Sequence, residues 1–473
     1  MYMVPPDCQF FVALTTILRM KPGTVYLPED CYTCLRSPHC SLKLYVLLLP
    51  STTPGKSPMT PQPTSWRKSL VPPLKTGSFR LATFLSLPLA LLAALVLSSP
   101  GRAQTGIPNV VVSNPSIPIE DNEYDQLGAR QTYIDQSGFV WIGGVDPNTG
   151  NLVPPSGQVT LVDGTGTALP VPAIGNGSEW LYGGSYGPQL VWTAVNKNGK
   201  KVLGRAYKNG STWVSGFLAN SAGRELPIPS KDVNDASPRL LYLGPDAVRG
   251  RGTALYWRNL DATTDEQVPG QLNTGGRWIP GQRAMVFTTI DVRSGFRQVA
   301  TYNVDTKQLT ILTNTPCNKD SPWIFQAPEF NNDYTMMVTC QGNPPGPTAT
   351  YSTMEVYRQT NGVWTLVNNI QVPSTNKYIA SPEPWFYKNK SYFSAVVSPN
   401  PDNLNGTDPT EIWIATLDPA APFFQMVSDT TPNVRKDPEV FITTQGPVVY
   451  YNAPAVSGQL PAVWKATPVI PGS

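Results

Sequence analysis

An all-β chain closed into a single β-propeller is the fold this sequence predicts, on three observations. A blade-sized unit recurs at intervals of 42, 48, 54 and 56 residues, marked by Pro238, Pro280, Pro328, Pro382 and Pro438. Pro (50) and Gly (38) punctuate the chain densely enough to leave little room for long helices. Aromatic residues make up 10% of the chain and are spread along it, as many short strands with one buried face require.

The clearest unit opens at Arg277. A strand entered through Trp278-x-Pro280 runs to a short turn, a second strand covers Val299 to Val304, and Asp305-Thr306-Lys307 turns the chain into a third over Leu309 to Leu312. This antiparallel meander is what propeller blades are made of. Looser copies begin at Ser237, Ala327, Ser381 and Asp437, and Gln189 to Phe217 reads as another. Tyr133 to Asp146 is either a further blade or the strand that closes the ring. The expected count is six four-stranded blades, with five or seven as alternatives. The propeller is placed at 131–473, after an extended segment 104–130.

One blade is too small to bury its apolar face alone, whereas stacking on two neighbours buries both. Most of the eleven Trp after residue 103 are accordingly read as filling the spaces between blades.

Upstream, Leu81 to Leu97 is an uncharged apolar run with Arg67, Lys68, Lys75 and Arg80 before it and Gly101-Arg102-Ala103 after it. Basic flank, apolar core and small-x-small site predict a secretory signal peptide over 59–103, cleaved before Gln104. Met59 is then the natural start, and 1–58 reads as a spurious leader without stable structure. Seventeen residues interrupted by Pro88 barely span a bilayer, so no stable membrane insertion is expected after cleavage. The expected location is the periplasm or the exterior.

The net charge of +3 changes sign once the leader is set aside. Residues 1–103 hold ten Lys/Arg and three Asp/Glu, which leaves the remainder at −4. A mildly acidic domain without a basic patch gives no electrostatic case for nucleic acid.

His39 is the only histidine, and it falls in the leader. Its position excludes Ser-His-Asp and Cys-His catalysis and His-based metal centres from the folded part. Cys31, Cys34, His39 and Cys40 have zinc-like spacing, but a lone knuckle in an apolar, Pro-rich leader that also holds Cys8 has no domain around it, so no metal site is assigned. Cys317 and Cys340, the two remaining cysteines, are expected to form one disulfide within the fourth of six blades.

Carboxylates are left to carry chemistry. The residue after the repeated proline is Arg239, Gly281, Glu329, Glu383 and Glu439 in turn. If those positions face the central channel, Glu329, Glu383 and Glu439 converge there with Asp437 and, from across the ring, Arg239. Trp385 stands beside them as a stacking surface. Such a cluster suits a glycan, peptide or protein ligand. It also suits acid–base work on a glycosidic bond, or a Ca²⁺ ion, although no cofactor is required.

Three resemblances bear on this. The unit at Arg277 resembles blades of TolB-type propellers, in which W-x-P precedes a strand and an Asp turn precedes a closing Leu-Thr, with Gly281-Gln282 here replacing the usual Asp-Gly. Asp135 to Gly143 resembles a blade signature of several propeller families. The stretches from Ala327 and Ser381 resemble inner strands of five-bladed glycoside hydrolases acting on arabinan and xylan. Aligning Pro384 and Lys388 to that pattern puts Pro382 at the acid's position and Glu383 one residue late. Asp437-Pro438 resembles that family's base motif but stands in the last blade instead of the first. These likenesses imply the architecture, with a non-enzymatic binding module as the first functional expectation and a carboxylate-dependent glycosidase as the alternative.

Overall fold

The computed structural model describes residues 106–471 except 114–118, 136–139, 160, 163–167, 170–177, 211, 271–274, 343–350, 402–407 and 454–460. The leader, with its cysteines, His39 and the apolar run 81–97, lies outside the described residues.

Seven four-stranded antiparallel sheets follow one another along the chain. They are blade I (119–159), II (179–217), III (225–267), IV (277–311), V (318–370), VI (378–426) and VII (436–466). The first strand of each blade touches the first strand of the next, from I through VII and back to I, so these strands line a central channel. Asn109–Val111 pairs with Ala462–Ala466 and supplies the outermost strand of blade VII. The two ends of the ring are thereby sealed with backbone hydrogen bonds.

The expected six blades are corrected to seven. Tyr133 to Asp146 forms the two middle strands of blade I, Arg130–Asp135 and Val140–Val145. Its inner strand, Ile119–Asp125, has the sequence IEDNEYD, too polar to read as a strand until its channel-facing side is recognised. The strand that closes the ring is the earlier Asn109–Val111, so the propeller draws on residues ahead of 131.

Seven apolar clusters occupy the seven spaces between blades. One joins I to II (Trp180, Trp192), another III to IV (Trp278, Phe287), another V to VI (Phe393, Trp413), and Tyr124 with Tyr450 closes VII onto I. All eleven Trp of the folded part belong to these clusters. Close packing fixes small residues too: a Cβ on Gly204 would stand 2.4 Å from the Trp192 ring, so the indole lies flat against bare backbone. Cys317 and Cys340 are joined, as expected, but the extra blade makes theirs the fifth.

Candidate functional site

The inner strands share a local device. In blades III, V, VI and VII the strand carries a β-bulge, and inside it a left-handed residue precedes a proline: Leu226-Pro227, Ser321-Pro322, Ser381-Pro382 and Asp437-Pro438, with φ of 52°, 48°, 43° and 56°. Proline gives no N–H to the ladder, and the bulge turns the strand and re-aims the next side chain. The first residues paired after the bulge in I, III, V, VI and VII are Asp121, Ile228, Trp323, Glu383 and Glu439. Glu179 and Arg277 open the short inner strands of II and IV.

A charged cluster results. Asp121 and Glu123 are two apart on one strand and project to one side of it. Together with Glu179, Glu383, Asp437 and Glu439 they place six carboxylates in mutual electrostatic contact. Two cations enter among them. Lys231, just past the inner strand of blade III, sits 3.1 Å from Glu123 Oε1 and 3.1 Å from Glu179 Oε2. Arg277 lies over the Trp323 ring at 4.6 Å and attracts Glu383. Trp323 is in turn fixed by donating from Nε1 to Pro382 O at 2.8 Å.

Burial pushes the Glu439 carboxyl well above the usual carboxylate range, and repulsion from Glu383, Glu123 and Asp437 adds to it. Asp437 is raised by burial, by Asp121, to which it is hydrogen-bonded, and by Glu383. Glu123 and Glu383 are raised by burial as well, against the pull of Lys231 on the first and of Arg277 and Lys231 on the second. Burial works against the Lys231 charge, but Glu123, Glu179, Glu383 and Glu439 outweigh it and hold the ammonium protonated. Protein surrounds this ammonium, yet 49% of the Lys231 side chain is accessible, so the channel around it is open to water.

Of the residues nominated from sequence, Glu383, Asp437 and Glu439 meet in this cluster. Glu329 does not. It lies in the Pro328–Phe330 turn at the edge of blade V and accepts from Ser391 N (3.1 Å) and Ser391 Oγ (2.8 Å) of blade VI, bracing the two blades. Arg239 opens the second strand of blade III, ion-paired with Asp235 at 3.1 Å and stacked on Trp278. Trp385 is 7% exposed and stacks on Tyr392 in the cluster between blades VI and VII, so its ring offers no ligand face. The repeated prolines are not equivalent in space. Pro238, Pro280 and Pro328 stand outside the strands, where the chain passes from first strand to second, and only Pro382 and Pro438 lie within inner strands.

A closed ring of blades, each four-stranded and antiparallel, sealed by an N-terminal strand, decides the fold. The chain is a seven-bladed β-propeller. No family model and no curated protein matches it. Among solved structures it is similar to TolB from Acinetobacter baumannii, with 12% identity over 71% of this chain and 78% of that one and a TM-score of 0.37. It is similar to an oligogalacturonate lyase in complex with manganese, with 12% identity over 77% and 94% and a TM-score of 0.48. A thermostable family-43 glycoside hydrolase gives 12% identity over 54% and 93% and a TM-score of 0.33. Among the described residues no helix is long and apolar enough to cross a membrane.

Proposed function

We propose that this β-propeller is an exported binding module that holds a glycan, peptide or protein partner at its central channel. The leader read from the sequence supports export to the periplasm or the exterior. The observation that carries the binding reading is the carboxylate cluster itself, drawn from blades I, II, VI and VII and short of cations.

Hydrolysis of a glycosidic bond needs one carboxyl kept protonated and a second kept ionised by a different environment. Here Glu123, Glu383, Asp437 and Glu439 are all shifted upward, and burial is the first cause each time. These four lean together toward the protonated form, which favours holding a ligand over acid–base chemistry that needs two of them in opposite states. The loss of Glu329 from the set weakens the glycosidase alternative further.

The test is to incubate the purified domain with plant and microbial polysaccharides and follow reducing ends. No release is expected. Release that vanishes in Glu383→Gln would replace the binding reading with the glycosidase.

A further inference from the structure

Six carboxylates against two cations leave the channel four charges short of balance when all are ionised. The shortfall is uneven. On one side Lys231 is gripped between Glu123 and Glu179, and Arg277 reaches toward Glu383. On the other, Glu439 is 9% exposed and has no hydrogen bond or ion pair among the described residues, and the repulsion of Glu383, Glu123 and Asp437 outweighs the attraction of Lys231. A carboxyl so enclosed holds its proton unless something positive stands beside it, and in its ionised form it calls for a cation.

A single metal ion answers it poorly. Calcium takes six to eight oxygens at about 2.3–2.6 Å. Among the described residues, the one group of three candidate ligands whose atoms fall within 4.8 Å of one another is Cys317, Cys340 and Glu355, remote from these acids and occupied by a disulfide. Among the described residues no three of the channel acids bring carboxylate oxygens within 4.8 Å of one another. A neutral sugar would leave their charge uncompensated.

Resting on the binding reading above, we propose that the channel's ligand is a linear polycation, a lysine- or arginine-rich polypeptide segment seated along Asp121, Glu123, Glu383, Asp437 and Glu439. In an extended peptide every second side chain faces the same way, about 6.6–7 Å apart, and acids two apart on a strand repeat at that distance. The protein demonstrates both modes of capture on its own groups. Lys231 shows an ammonium shared by two carboxylates, and Arg277 shows a guanidinium laid on indole in front of another.

The experiment is calorimetric titration of the purified domain at pH 7 and low salt with hexalysine, a glycine–serine hexapeptide, CaCl₂ and a neutral polysaccharide panel. Hexalysine binds with one-to-one stoichiometry and weakens steeply with added salt. Glu439→Gln weakens it about tenfold and the Glu383→Gln/Glu439→Gln pair about a hundredfold, one lost charge-assisted contact corresponding to roughly a factor of ten. Lys231→Gln, which removes a competing cation, tightens it. Asp305→Asn, an exposed acid far from the cluster, leaves it unchanged, and near-ultraviolet circular dichroism verifies that each variant is folded. Equal hexalysine affinity in wild type and double variant overturns the polycation, as does preference for Ca²⁺. If the neutral peptide or a polysaccharide binds and hexalysine does not, the polycation is wrong and the binding module stands. If none binds, both fail.

Discussion

Lys231 Nζ lies 3.1 Å from Glu123 Oε1, joining blade III to blade I past the blade between them. A contact of this kind ties the ring together across its channel and not through the apolar seams. Lys231→Met leaves Glu123 and Glu179 without their cation. Because nearly half of the lysine side chain is accessible, the expected loss is at the low end for a broken ion pair, about 1–2 kcal/mol at pH 7. Urea unfolding measures it. Burial raises the Glu123 carboxyl, so the deficit is smaller the lower the pH, and a variant as stable as wild type at pH 5 and pH 7 would show that the pair balances nothing.

The four raised carboxyls fix the sign of the pH response. Glu123, Glu383, Asp437 and Glu439 hold protons in the folded state that an unfolded chain releases near pH 4. Between that value and their raised folded values the native state binds more protons, so stability falls as pH rises. Lys231, whose folded value is raised above an unfolded value near 10.4, does not itself titrate between pH 5 and pH 8 and adds no slope of its own there. Asp291, held low by Ser294 donating to it, acts in the opposite sense but only as pH drops through the unfolded carboxylate value and below. The melting temperature is therefore expected to be highest near pH 5 and to decline toward pH 8. Scanning calorimetry across that range tests this, and Glu383→Gln/Glu439→Gln flattens the decline. A Tm that rises from pH 5 to pH 8 would contradict the assignment.

How far the molecule was legible follows from where each signal came from. Blade stacking was readable because alternation and turn residues are local, and the Trp other than Trp385, which was read as a ligand surface, were placed correctly because seven seams need large apolar filling. Three members of the cluster, Glu383, Asp437 and Glu439, were found through the proline repeat. Glu329 was not separable from them, because a proline in an edge turn and a proline in an inner-strand bulge look alike in sequence. Asp121, Glu123, Glu179, Lys231 and Arg277 were missed. The acid-rich run Ile119–Asp125 was the available signal for the first two, but its polarity hid the strand that carries them. Lys231 reaches the site from past the end of its strand, which no repeat register reports.

Closure of the ring rests on a small contact. Asn109 Nδ2 donates to Val427 O and to Ile107 O, each at 2.8 Å, and its Oδ1 accepts from Asp429 N and from the Tyr451 hydroxyl. Asn109→Ala leaves those groups to be satisfied elsewhere at a cost of about 2 kcal/mol. Because the lost bonds fasten the strand Asn109–Val111 to the segment that follows blade VI and to Tyr451 of blade VII, the variant should also be cut by protease near residue 109 under conditions where wild type is intact. Lowered stability without new cleavage there would locate the damage elsewhere in the ring.

The left-handed residue before each inner-strand proline carries a backbone cost that a substitution can expose. An L-residue in this region pays roughly 1–2 kcal/mol, which glycine avoids. Glycine also gives the unfolded chain more freedom, worth about 0.4–1 kcal/mol in the other direction. At Ser321, with φ of 48° in the inner-strand bulge of blade V, the balance favours Ser321→Gly by about 0.5 kcal/mol. A β-branched side chain suffers most in that conformation, so Ser321→Val should lose about 1–2 kcal/mol. The pair of variants separates backbone strain from side-chain contacts, since Ser321 offers its neighbours a main-chain N–H to Asp320 Oδ1 that both retain. Denaturant midpoints ordered glycine above serine above valine support the strained bulge, and a glycine variant less stable than the valine one rules it out.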